Sequence, residues 1–110
     1  MILFWWIIST FVEGIFERMA YKYKDSFIVV NDKGLHTRPS TELVKCAAGF
    51  KSQVSLVYQK TTVNAKSLLG ILMLAASRGS KITVEAVGDD AEKAVKSILN
   101  LARNKFNIKY

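Results

Sequence analysis

Each ordered segment legible in this chain of 110 residues offers a single apolar face. Within Lys81–Val87, the residues Ile82, Val84 and Ala86 alternate with Lys, Thr and Glu, so they share one side of a strand. Val54 and Leu56 do the same within Lys51–Tyr58, and Phe27 and Val29 do so within Ser26–Val30. Elsewhere the period lengthens. Pro39, Leu43, Cys46, Ala47 and Phe50 fall at helical spacing, as do Ala91, Ala94, Val95, Ile98, Leu101 and Ala102. A one-faced sheet and one-striped helices bury both surfaces most economically when the helices lie on one side of a mainly antiparallel sheet. The element order is β-α-β-β-α-β-α. It predicts a two-layer α+β domain, a four-stranded sheet with three helices on one face.

The connections carry matching signals. Asn31-Asp32-Lys33-Gly34 is turn chemistry, with Gly34 free to adopt a backbone shape that other residues resist. Gly49 reads as a helix stop. Gln59-Lys60 joins Lys51–Tyr58 to Thr61–Asn64 as a hairpin, although a tight hairpin favours Asn-Gly there. Ser67 is a favoured helix N-cap and opens Leu68–Leu74. Arg78-Gly79-Ser80 breaks the chain, and Gly88-Asp89-Asp90 turns it while placing acidic residues at the next helix start. The closing Arg103–Tyr110 is basic and weakly periodic.

One segment stands apart. Residues 1–18 are strongly hydrophobic, but the apolar run Ile2–Val12 is shorter than the roughly twenty residues a bilayer crossing needs. The run lacks both the basic start and the cleavage site of a signal peptide. Met19-Ala20 opens an ordinary polar lead-in, so translation is expected to begin at Met19; the alternative is a membrane-associating tail. The domain is then residues 19–110, and no stable membrane insertion is expected.

Sixteen Lys and Arg against nine Asp and Glu give a net charge of +7, which favours acidic partners. The basic residues are scattered and no nucleic-acid-binding motif is present, so a nucleic-acid partner is not expected. Cys46 is the only cysteine, which excludes an internal disulfide, and its place on an apolar stripe reads as core.

The chemistry concentrates in Gly34-Leu35-His36-Thr37-Arg38-Pro39-Ser40, which holds the chain's only histidine and only proline. Proline is tolerated in a first helical turn because the amide it lacks has no partner there. His36 therefore lies at a helix N-terminus, beside open backbone N–H groups and the positive end of a helix dipole. Such a place suits an anion, held nearby or carried on the imidazole itself. One imidazole with no carboxylate cluster is a poor metal site, and no Ser or Cys at triad spacing accompanies it. A nucleophilic imidazole taking up a phosphoryl group remains, with Arg38 and the helix amides balancing the charge. Ser67 reads either as a plain cap or as a phosphorylation site whose charge the helix dipole tolerates. Leu68, Leu69 and Leu72 divide between core and an exposed docking patch in a way local sequence leaves open.

Gly34–Ser40 resembles the active-site motif of HPr, the histidine-containing phosphocarrier family of the bacterial phosphoenolpyruvate-dependent sugar phosphotransferase system. Lys66-Ser67-Leu68-Leu69-Gly70 resembles that family's regulatory serine segment, and the thirty-one positions from His36 to Ser67 agree with it. The resemblance runs from about Phe27 to Leu101 and includes the element order. It implies that His36 takes phosphate on Nδ1 from phosphorylated enzyme I and passes it to an enzyme IIA domain. Arg38 would assist, and Pro39 would set the helix start. Ser67 would be the target of HPr kinase/phosphorylase, and Leu68, Leu69 and Leu72 would dock partners. The alternative within the same family is a mainly regulatory protein read through Ser67 phosphorylation, with a reduced or absent role in sugar transport. The leading reading implies a cytoplasmic, monomeric phosphoryl carrier, an intermediate in a relay and not an enzyme, with no cofactor. The hydrophobic leader, Gln59-Lys60 in the hairpin and the long basic tail depart from the family pattern.

Overall fold

The computed structural model describes residues 22–108; the leader and the expected start at Met19 lie outside the described residues. The elements run β1 (Lys22–Ile28), α1 (Thr37–Ala48), β2 (Gln53–Tyr58), β3 (Thr61–Asn64), α2 (Leu68–Met73), β4 (Lys81–Val87) and α3 (Ala91–Arg103), then a short turn of helix at Lys105–Asn107. The four strands form one sheet in the order β1-β4-β2-β3, antiparallel throughout. This is the α+β arrangement that the periodicity predicts.

The alternation decides which face is buried. Phe27, Val54, Leu56, Ile82, Val84 and Ala86 point into the core, where they meet Leu43 and Ala47 of α1, Ile71 of α2 and Ala94, Val95 and Ile98 of α3. Fully burying one such Ile, Leu or Val side chain stabilises the fold by about 1.5–3 kcal/mol. On the opposite face the ladder pairs Lys24 with Glu85, and their charged ends stand 3.8 Å apart.

Local reading and structure part at four places. β1 spans Lys22–Ile28, so the described part of the polar lead-in, residues 22–25, is strand while Val29 and Val30 are not. Pairing with β4 extends it: Lys22 lies opposite Val87, and an edge strand tolerates the charged residues that made this stretch look like a lead-in. Gly49 does end α1, but at φ −72°, without using glycine's left-handed freedom. In the hairpin the positive φ, +55°, falls on Gln59.

The fourth difference is the tail. Phe106 is fully buried and its ring meets Phe27 edge-on, with centroids 5.9 Å apart at 69°. Weak periodicity hid it, because Lys105, Phe106 and Asn107 take φ values of +53°, +55° and +61°. Three left-handed residues in succession follow neither a helical nor a strand period.

Candidate functional site

The loop after β1 is built around Gly34. Its amide donates to the Asn31 carbonyl at 3.0 Å, closing the turn, and its φ is +69°. A Cβ there would overlap the carbonyl of Ala76, which accepts the Leu35 amide at 2.9 Å. Glycine is thus required twice, for conformation and for close approach. The two loops that meet at this contact carry the site.

His36 follows as the N-cap of α1, with an extended backbone of φ −80° and ψ −170°. Its carbonyl accepts the Ser40 amide at 3.1 Å, and the buried Ser40 hydroxyl donates to the Leu35 carbonyl at 3.0 Å. These bonds fix the backbone on both sides of the imidazole. The residue is half-buried, and of its ring nitrogens Nε2 lies inside. The first turn of α1 holds no acidic residue, Arg38 is exposed there, and Pro39 is packed into the core. Positive dipole end, guanidinium and imidazole therefore share one helix start.

His36 opens onto a cleft of about 330 Å³, lined also by Lys33, Thr37, Leu72, Ala75 and Ser77. Ala75 has φ +50°, a left-handed conformation that costs a side-chain-bearing residue about 1–2 kcal/mol. Across this cleft α2 approaches α1. Ser67 caps α2, its Oγ accepting the Gly70 amide at 3.1 Å. A Cβ on Gly70 would sit 3.3 Å from that oxygen, so glycine keeps the hydroxyl's surroundings open.

The family model described as the PTS HPr component phosphorylation site matches residues 23–104. The chain belongs to the HPr family. It is 41% identical over 78 residues to the phosphocarrier protein HPr of Cupriavidus necator, covering 71% of this chain and 88% of that one. Among solved structures, an HPr of Thermoanaerobacter tengcongensis superposes with a TM-score of 0.76 at 35% identity, covering 80% of this chain and 99% of its own. The catabolite repression protein Crh of Bacillus subtilis, which crystallised as a swapped, intertwined dimer, gives a TM-score of 0.62 at 33% identity, covering 68% and 86%.

Within this HPr fold, the structure brings His36 and Leu72 into one cleft and sets Arg38 two residues into the helix that His36 caps. The leucines of α2 divide. Leu68 and Leu69 are exposed, Leu69 at 69%, whereas Leu72 is half-buried in the cleft wall. Met73, absent from the patch read off the sequence, is exposed at 74%. It lies four positions after Leu69, hence on the same helix face, a spacing that could have revealed it. Lys33, which reads locally as part of a turn, also lines the cleft. Cys46 packs against the core, and burial pushes its thiol pKa up, away from thiolate chemistry. Among the described residues no cluster of His, Cys, Asp and Glu could hold a metal, and no helix is long and apolar enough to cross a membrane.

Proposed function

We propose that this chain relays a phosphoryl group through His36 in the phosphotransferase system, taking it from phosphorylated enzyme I and giving it to an enzyme IIA domain. The observation that carries the reading is His36 capping a helix whose first turn has Arg38 and no carboxylate. The incoming group is assigned to Nδ1, the nitrogen that the family resemblance implies, and the burial of Nε2 supports that choice. The Nδ1 lone pair attacks phosphorus, the bond from phosphorus to the donor breaks, and that electron pair leaves with enzyme I. The proton of the neutral ring stays on Nε2. Arg38, Lys33 and the first amides of α1 balance the charge of the bound phosphoryl group. Transfer onward is the same displacement with a partner's nucleophile.

Leu68, Leu69 and Met73 offer partners an apolar surface beside the cleft, joined to it by Leu72. Ser67, at the base of this surface, is the proposed target of HPr kinase/phosphorylase. A phosphate there puts negative charge on the docking face while the dipole of α2 tolerates it. The protein is proposed to act as a monomer in the cytoplasm; light scattering that found a stable dimer would overturn that part.

The test is incubation with phosphoenolpyruvate and enzyme I. Acid-labile phosphate is expected on the parent and none on His36→Ala; acid-stable label, or none on the parent, would count against the relay. With HPr kinase and ATP, acid-stable phosphate is expected on the parent and not on Ser67→Ala.

A second, mainly regulatory reading is favoured by one observation, the likeness to Crh. It predicts labelling at Ser67 with slow or absent transfer through His36, and the same two assays separate the readings.

A further inference from the structure

Asn31 is an amide side chain with no exposed surface, at the start of the loop that delivers His36. An apolar residue would fill that space at lower cost, because a buried amide must find partners. Its Nδ2 donates to the carbonyl of Lys105 at 3.0 Å, across 74 positions of chain. The Asn31 carbonyl meanwhile accepts the Gly34 amide that closes the His36 turn. One residue thus ties the turn before the imidazole to the C-terminal tail.

The tail is built to receive that bond. Lys105, Phe106 and Asn107 are all left-handed, a backbone that persists only where its surroundings over-determine it. Here the surroundings are the buried Phe106 ring against Phe27, the Ile108 amide on the Lys105 carbonyl at 3.0 Å, and α1 packed on the turn. The left-handed path directs the Lys105 carbonyl inward at Asn31 while Phe106 enters the core.

We infer that Asn31 and Phe106 are positioning residues for His36: the C-terminal turn clamps the loop that sets the imidazole at the mouth of its cleft. The inference rests on the relay reading for its kinetic consequence, but its structural consequence stands alone. A fixed loop holds the ring in one orientation, and small misplacements of a reacting group slow transfer steeply.

The test compares the full chain with Asn31→Ala and Phe106→Leu. Two readouts are used: the His36 ring-proton titration by NMR, and transfer from enzyme I resolved into kcat and KM. Folded variants are expected to show a shifted His36 titration and a kcat lowered roughly tenfold. KM for the carrier should change less than twofold, since the exposed leucines of α2 are untouched. Folded variants with parental titration would overturn the clamp. If Asn31→Ala does not fold, Phe106→Leu decides by the same readouts. If the parent accepts no phosphate from enzyme I, the relay reading fails and the titration alone decides the clamp.

Discussion

The carboxylate of Asp90 reaches across 38 positions to Ser52, accepting its backbone amide at 3.0 Å as well as its hydroxyl. The neighbouring Lys51 amide adds a third bond at 2.9 Å. Asp90 stands at the start of α3, where local reading assigns it to the helix dipole. Instead it makes no side-chain cap there and stitches the entry of β2 to α3. The Ser52 hydroxyl and the Lys51 and Ser52 amides hold its carboxyl down, to about 2. Because the folded pKa lies below the unfolded one, the stabilisation is complete above about pH 4. It disappears as pH falls through about 2. Asp90→Ala should therefore lower the urea midpoint at pH 7, and the gap to the parent should close on acidification below pH 4. A gap of constant size through that range would contradict this assignment.

Gly34→Ala should be among the most damaging single changes, because the new methyl overlaps the Ala76 backbone at a φ of +69°. A loss of about 2–4 kcal/mol is expected, since backbone and not a flexible side chain must move. Urea unfolding measures the loss. A near-neutral result would mean that the loops of Gly34 and Ala76 slide apart freely.

Ser67 separates capping from charge. Ser67→Ala removes the acceptor of the Gly70 amide and should cost about 1 kcal/mol in thermal or urea unfolding. Ser67→Asp retains a good capping oxygen, so stability should stay near the parent's while transfer from enzyme I slows. If both variants transfer at the parental rate, Ser67 does not control access to the docking face.

Leu69→Ser and Met73→Ser alter side chains that contribute little to the core, being 69% and 74% exposed. Stability should change by no more than about 0.5 kcal/mol. The KM with enzyme I should nevertheless rise, because apolar contact with the partner is lost. An unchanged KM in the double variant would place the docking surface elsewhere.

The strands' buried face, the stripes of α1 and α3, the glycine of the His36 turn and the cap at Ser67 were all readable along the chain. Each depends on a period or on a conformation that one residue type tolerates, and such information is local. Leu69 and Met73 were less legible, since helix spacing puts them on one face without saying whether that face meets the core. Lys33 was hidden for a related reason. A turn residue reveals its site only once the loop of Ala75 and Ser77 is folded against it.

Sequence by itself therefore determined a one-faced sheet, one-striped helices and an imidazole at a helix start beside an arginine. Tertiary structure decided what those parts touch. It set the strand order, sent Asp90 to Ser52, and buried Phe106 through a left-handed turn that no period announces. It also joined Asn31, at the start of the His36 loop, to Lys105. The physical reason is range: periodicity and turn propensity act over a few residues, whereas the partner of a buried amide or carboxylate exists only after distant segments pack.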